Sequence, residues 1–279
     1  MSKIRDAKAV GKNFHIEQFD SAMEVVSTCE NRAKTDDRFD TIKDVSYGDW
    51  RGVNSYEEAL EYMKGGYQPT VDKLRTAFKA SRMGEGTRFS FQNQIQGFAP
   101  VVPLALKNVP NCMVNMQMKP IKAKVVDVYY DMASSASVSS CQIIEAGQKL
   151  LATVVELERQ GYRFNLFAVQ GYSDDASCDM LVVRVKRDNQ PLDLKRVSFP
   201  LTHTAFFRVI GFDWYSKVPG GKYRRAYGVA IGNNLGEKKL EQMGRELFGK
   251  NAIYLSAAKI HKFEEAHIRE VLTNGDRKN

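Results

Sequence analysis

Residues 122–169, KAKVVDVYYDMASSASVSSCQIIEAGQKLLATVVELERQGYRFNLFAV, change period twice, from strand to helix and back to strand. The stretch opens with β-branched and aromatic residues: Val125, Val126, Val128 and Tyr130 make a strand apolar enough for the middle of a sheet. From about Ser140 to Gln160 the spacing becomes helical, with Ile143, Ala146, Gly147, Leu150, Leu151, Val154 and Leu157 on one stripe. Ser139 and Gln142 stand at capping-box spacing before it, and Gly161 ends it. YRFNLFAV is a second strand, so the unit is β-α-β, and its right-handed crossover makes the two strands parallel near neighbours.

Working outward, CDMLVVRVKR (178–187) supplies a third strand and LDLKRVSFPLTHTAFFRVIGFDW (192–214) a partly helical connection. KNAIYLSAA (250–258) is a fourth strand and KFEEAHIREVL (262–272) a closing helix. Upstream, Ser55 and Glu58 have the capping-box spacing before Ala59, Leu60 and Met63, and Gly65-Gly66 stops that helix. TVDKLRTAFKASRMGEG (70–86) reads as another helix. Residues 95–121 contain Pro100, Pro103, Pro110 and Pro120 among apolar residues, which predicts an ordered irregular segment packed on the domain that follows. The expected organisation is a mostly helical, partly irregular region over 1–94 and an α/β domain over 95–279, a Rossmann-type sheet with flanking helices.

Composition narrows the function classes. The 279 residues carry 41 Lys+Arg against 33 Asp+Glu, a formal net charge of +8, which favours an anionic partner. Cys29, Cys112, Cys141 and Cys178 form no CxxC pair, so a zinc ribbon or thioredoxin-type site is unsupported and reduced thiols are expected. The first 20 residues lack a signal-peptide core and no apolar run approaches the ~20 residues that span a bilayer, so the expected setting is intracellular, away from membranes. A phosphate loop is absent: GEGT at 84–87 lacks the lysine and the preceding strand.

Strand, Asp-Ser-Ser loop and helix in this order resemble the start of a von Willebrand factor A domain, whose first loop carries a D-x-S-x-S metal motif. Here the loop is Asp131-Met132-Ala133-Ser134-Ser135-Ala136-Ser137, with the first serine one place late. The resemblance implies a Mg²⁺ site at Asp131, Ser134 and Ser135, with Thr202 or Thr204 and Asp213 as further ligands. The displaced hydroxyl disfavours near-octahedral Mg²⁺ geometry, and helix capping by the serines is the structural alternative. No cofactor is therefore assigned.

WRGVNSYEEALEYMKGG, GFAPVVPLALKNVPNCM, AGQKLLATVVELERQGYRFNLF and LDLKRVSFPLTHTAFFRVIGF, in this order over residues 47 to 215, resemble an uncharacterised family of tailed-phage proteins with a domain of unknown function. His203 and Arg208 match that family's His-Pro-Ala…Arg pattern, whereas Thr204 replaces its proline. The resemblance implies phage or prophage origin, in the bacterial host's cytoplasm or in the virion, and supplies no activity.

Three functions follow as expectations. In the first, a non-enzymatic accessory protein binds single-stranded DNA or RNA through Lys222, Tyr223, Arg224 and Arg225 of the glycine-flanked VPGGKYRRAYG loop, and through Arg88 and Phe89; cations meet phosphates and rings stack on bases. Solvated basic loops are the plain alternative. The second is a protein–protein assembly module using the strand-end loops, for a phage or host protein, with Tyr47, Trp50 and Tyr67 at the core of an interface. The third is a metal-dependent nuclease, in which Asp127, Asp131, Asp174, Asp175 and Asp179 converge. His203 and Arg208 are in addition a candidate anion clamp, against a packed histidine as the alternative.

Overall fold

The computed structural model describes residues 2–33, 48–79, 87–120, 124–135, 138–173, 177–218, 229–260, 262 and 264–274. The β-α-β unit forms as its residues dictate. Strand β6 (Lys124–Asp131) leads into helix α6 (Ser140–Arg159) and strand β7 (Tyr162–Ser173). Both halves of the Ser139/Gln142 capping box are made, and Lys124↔Tyr162 to Asp131↔Val169 pair in parallel. Strand β8 (Ser177–Lys186) returns antiparallel to β7, and β10 (Ala252–Ser256) lies parallel to β6 on its other side.

Upstream of this unit stand β1 (Lys3–Ala9), β2 (Lys12–Phe19), α1 (Ala22–Glu30), α2 (Gly48–Arg51), α3 (Tyr56–Gly65), α4 (Gln68–Lys79), β3 (Thr87–Gln94), β4 (Ala99–Pro100), α5 (Val102–Leu106) and β5 (Met113–Pro120). After β8 come α7 (Leu194–Thr202), a π-helical turn (Phe206–Gly211), α8 (Phe212–Lys217), β9 (Val229–Ala230), α9 (Ile231–Asn234) and α10 (Glu237–Phe248), and after β10 come α11 (Ala257–Ile260) and α12 (Glu265–Asn274).

The main sheet has the order β1-β2-β8-β7-β6-β10, with β9 also paired to β7. Alternation along each strand divides the core between its faces. Val126, Val128, Tyr130, Phe164, Leu166, Leu181 and Val183 meet α6, α7 and α8, while Tyr129, Phe167, Val169, Met180 and Val182 meet α10. The result is an α/β/α layering in which β7 and β8 are buried on both sides.

Two expectations need correction. The start of the chain is a β-hairpin and not a helical or irregular region: β1 pairs β2, and β2 runs parallel to β8 from Asn13↔Ser177 to Phe19↔Val183. Phe14 and Ile16 enter one core and Phe19 the other. Between them the buried Glu17 accepts two bonds from Arg32 (2.8 and 2.7 Å) and one from Trp214 Nε1 (2.8 Å). Burial pushes this carboxyl up, yet these hydrogen bonds and the Arg32 charge outweigh it and hold Glu17 below the ordinary carboxylate range. Residues on both sides of position 94 thus share one sheet and one core.

Residues 95–121 are the second correction. They were expected to pack on the α/β domain; instead β3, β5 and β4 form a separate three-stranded antiparallel sheet, and no residue from 91 to 116 is buried. Pro100 closes the two-residue edge strand β4, and Pro103 stands in the first turn of α5, two positions that need no backbone donor.

Candidate functional site

Ligand sites of open α/β sheets form where parallel strands end, here at Asp131, Ser256 and the end of β7. Register sets Asp131 beside both Val169 and Ser256. Asp131 Oδ1 accepts from Ala133 N (2.9 Å) and Gly171 N (3.4 Å), and Oδ2 accepts from the Tyr254 hydroxyl (2.9 Å). Burial pushes the carboxyl up to about 7 against the pull of these donors. Asp131 therefore ties β6, β7 and β10 together at their ends, with both oxygens committed.

Most of the remaining members of the expected metal set serve the fold. Ser135 O accepts from Val138 N, while the adjoining Ser139 Oγ, outside that set, caps α6 at Gln142 N. Thr202 Oγ1 donates to Ser198 O, Thr204 Oγ1 donates to Arg51 O, and Asp213 pairs with Lys217 at 2.8 Å. Ser134 Oγ is buried without a hydrogen bond. Among the described residues no three His, Cys, Asp or Glu side chains gather as a metal set. One engaged carboxylate and scattered hydroxyls do not fit the six-oxygen shell of Mg²⁺.

His203 and Arg208 do not form an anion clamp, because their polar atoms are turned inward. The His203 ring lies among Tyr62, Tyr67 and Phe199 at 5.3, 4.5 and 5.5 Å, and its Nδ1 accepts from Ala205 N. Burial lowers its basicity to about 4, so the ring is neutral at pH 7. Arg208 donates to Trp50 O, Ser140 Oγ and Val138 O, and its guanidinium lies between the rings of Trp50 (4.5 Å) and Phe207 (4.8 Å). It fastens α2 to the start of α6. The π-helical turn that carries Arg208 is opened by Gln170, whose Nε2 donates to Phe206 O at 3.2 Å.

Other candidates separate in space. Trp50 stacks on Phe212 and Tyr67 packs edge-on against His203, both half-buried, and Tyr47 lies outside the described residues. Asp127 accepts from Asn165 Nδ2 at 2.7 Å, partway along β6 and four residues short of its end. Asp179 is a buried residue of β8, and Asp174 and Asp175 lie outside the described residues. Lys222, Tyr223, Arg224 and Arg225 lie outside the described residues as well. Arg88 and Phe89 belong to β3, where register sets them opposite Lys119 and Met118.

Sequence reasoning took Arg82, Arg88, Phe89 and Phe91 of RMGEGTRFSFQNQIQGF as a nucleic-acid contact and missed that the stretch builds the most exposed apolar feature among the described residues. Phe91 pairs with Met116 and Asn93 with Val114 on one face of the β3–β5 ladder; Gln92, Gln94 and Asn115 take the other, where Asn115 donates to Gln94 at 2.7 Å. Phe98 joins the apolar face edge-on to Phe91, 6.4 Å between centroids. Gly97 makes this possible, since a Cβ there would meet Val114 O at 2.1 Å. Phe91 is 63% exposed, Ile95 71%, Phe98 68%, Val102 58%, Leu106 81% and Met116 49%. The signal was present in the sequence: TRFSFQNQ alternates with the strand period of 2, and residues 87–120 hold no Asp or Glu and only three cations, Arg88, Lys107 and Lys119.

No curated protein and no solved structure matches the chain. No helix among the described residues is long and apolar enough to cross a membrane. Residues 7–275 match the family described as a domain of unknown function (DUF7192), and the chain belongs to that family.

Proposed function

We propose that this protein is a non-enzymatic assembly component that docks to a protein through the apolar face of the β3–β5–β4 sheet. One observation carries the reading: a three-stranded sheet with large apolar side chains and no buried residue from 91 to 116. Isolated sheets of this size need a covered hydrophobic face for stability, and contiguous exposed apolar patches mark interaction sites. The β8-β7-β6-β10 order, numbered from β6 as 3-2-1-4 with the third strand antiparallel, supports a von Willebrand factor A-like core that the docking sheet precedes in the chain. The committed oxygens of Asp131 speak against a strand-end ion in this chain. The resemblance to tailed-phage proteins supports a phage or prophage setting, in the host cytoplasm or the virion.

The test replaces Phe98 with a photoreactive phenylalanine analogue in the full chain, irradiated in the expressing cell. A discrete protein adduct is expected from position 98 and none from the exposed position 61 on α3. Absence of an adduct from position 98 overturns the docking reading.

Nucleic-acid binding remains the second reading, favoured by the +8 charge and by the cross-strand register of Arg88 with Lys119. Like charges directly opposite disfavour a ladder unless an anion offsets them. Replacing Lys222, Arg224 and Arg225 by alanine is expected to lower the slope of log K for single strands against log salt by about 2. Wild-type protein that binds no single strand at ~50 mM salt removes this reading.

A further inference from the structure

We infer that the partner on the β3–β5–β4 face is a second copy of this chain, the two sheets packing face to face; this rests on the docking reading above. Three features of the face select that occupant.

The first is charge. A chain of net charge +8 is repelled by its own copies, so self-association needs a surface from which charge is absent. This face supplies it: register sets the neutral Asn93 beside Phe91 and Met116, and residues 89–106 carry no charged side chain. Arg88 and Lys119 occupy the register position that alternates onto the opposite side from Phe91. A different protein would be selected by a registering charge, and a bilayer surface would favour a rim of Lys and Arg around the apolar side chains. Lys107 is the one cation between residues 89 and 118.

The second is area. Given full side-chain areas of ~150–250 Å², the exposed fractions of Phe91, Phe98 and Met116 on the face and of Ile95, Val102 and Leu106 in the adjoining segment amount to roughly 600–1,000 Å², which brackets the ~800 Å² each partner buries in a stable interface. The third is shape. A small antiparallel sheet with one apolar face completes itself most simply against an identical face, giving a two-layer sandwich about a twofold axis. In that arrangement Phe91, Phe98 and Met116 of one copy interleave with the same residues of the other.

Sedimentation equilibrium of the full chain from 1 to 100 µM tests this. Twice the chain mass is expected for the wild type, and Phe91→Ser/Phe98→Ser is expected to shift the dissociation constant upward by at least 100-fold with unchanged far-UV circular dichroism. Gly97→Val, which displaces Phe98 from β5 without adding charge, is expected to weaken the dimer in the same direction. A wild type that stays monomeric at 100 µM overturns the second copy. Such a monomer leaves the docking reading standing if position 98 still yields an adduct with another protein, and sinks both if it yields none. A monomer that floats with neutral phosphatidylcholine vesicles through Phe91 and Phe98 also overturns the proposal, in favour of a lipid surface. A dimer unaffected by the Phe91/Phe98 double variant overturns it as well, because the interface then lies elsewhere.

Discussion

The hydroxyl of Tyr254 donates to Asp131 Oδ2 at 2.9 Å, locking β10 to the end of β6. Asp131→Ala orphans this hydroxyl together with the amides of Ala133 and Gly171, and is expected to cost about 3 kcal/mol in urea denaturation. Asp131→Asn keeps most of the shape and is expected to cost less.

The same carboxyl sets a pH signature. Its pKa rises from 3.8 to about 7 on folding, so its contribution to stability is complete below 3.8 and is lost as pH rises through about 7. His203 acts in the opposite sense: lowered from 6.5 to about 4 by burial, it contributes stability above 6.5 that is lost as pH falls through 4. The difference between wild type and Asp131→Asn isolates the carboxyl, and the wild type's advantage is expected to shrink between pH 4 and pH 8 by up to about 4 kcal/mol. An advantage that grows with pH would show that the three donors, and not burial, govern the group.

Arg208 is expected to be as important to stability as any apolar core residue. Arg208→Ala strands the carbonyls of Trp50 and Val138 and should cost about 3 kcal/mol. Lysine is not expected to restore it, since an ammonium does not bridge two carbonyls while lying flat between two rings. Chemical denaturation of the two variants side by side checks both statements.

Gly147→Ala sets helix propensity against packing. Alanine gains about 1 kcal/mol in the middle of a helix. Its Cβ would stand 2.1 Å from Leu201 O and 2.7 Å from Thr202 Cα, backbone atoms of α7 that move only with that helix. Packing is expected to win, with a net loss of about 2 kcal/mol or more, read as a lower urea midpoint.

Divalent ions are expected to leave the strand-end loop untouched. Calorimetric titration with Mg²⁺ or Mn²⁺ should show no micromolar binding, because Asp131 already uses both oxygens. Micromolar binding abolished by Asp131→Ala would overturn the structural role given to this residue.

The β6-α6-β7 unit was legible because its signals are local and agree with one another: a buried strand, a Ser139/Gln142 box made on both sides, a long apolar stripe and a terminal glycine. β1 was not legible, since five of its seven residues are exposed and an edge strand open to water shows no alternation. β2 hid a buried Glu17 whose partners, Arg32 and Trp214, lie 15 and 197 residues away. The three-stranded sheet was hidden differently. Its alternation is plain over Phe89–Gln94, yet four prolines and many apolar residues suggested a segment wrapped on the core, and no local rule says that an apolar face points away from it. At the strand ends, residue types suggested ligands, while the register shows Asp131 surrounded by donors from its own fold.

Amide hydrogen exchange across Thr87–Gln94 and Met113–Pro120, followed at 1 and 100 µM protein, reads whether the β3–β5 face is covered. If the face is docked in the working protein, amides of β3 and β5 exchange at least 10-fold more slowly at the higher concentration, and Phe91→Ser/Phe98→Ser abolishes the difference. Fast exchange at both concentrations, in isolated protein and in lysate of the expressing cell alike, would mean that nothing covers this sheet and that it is not a docking face.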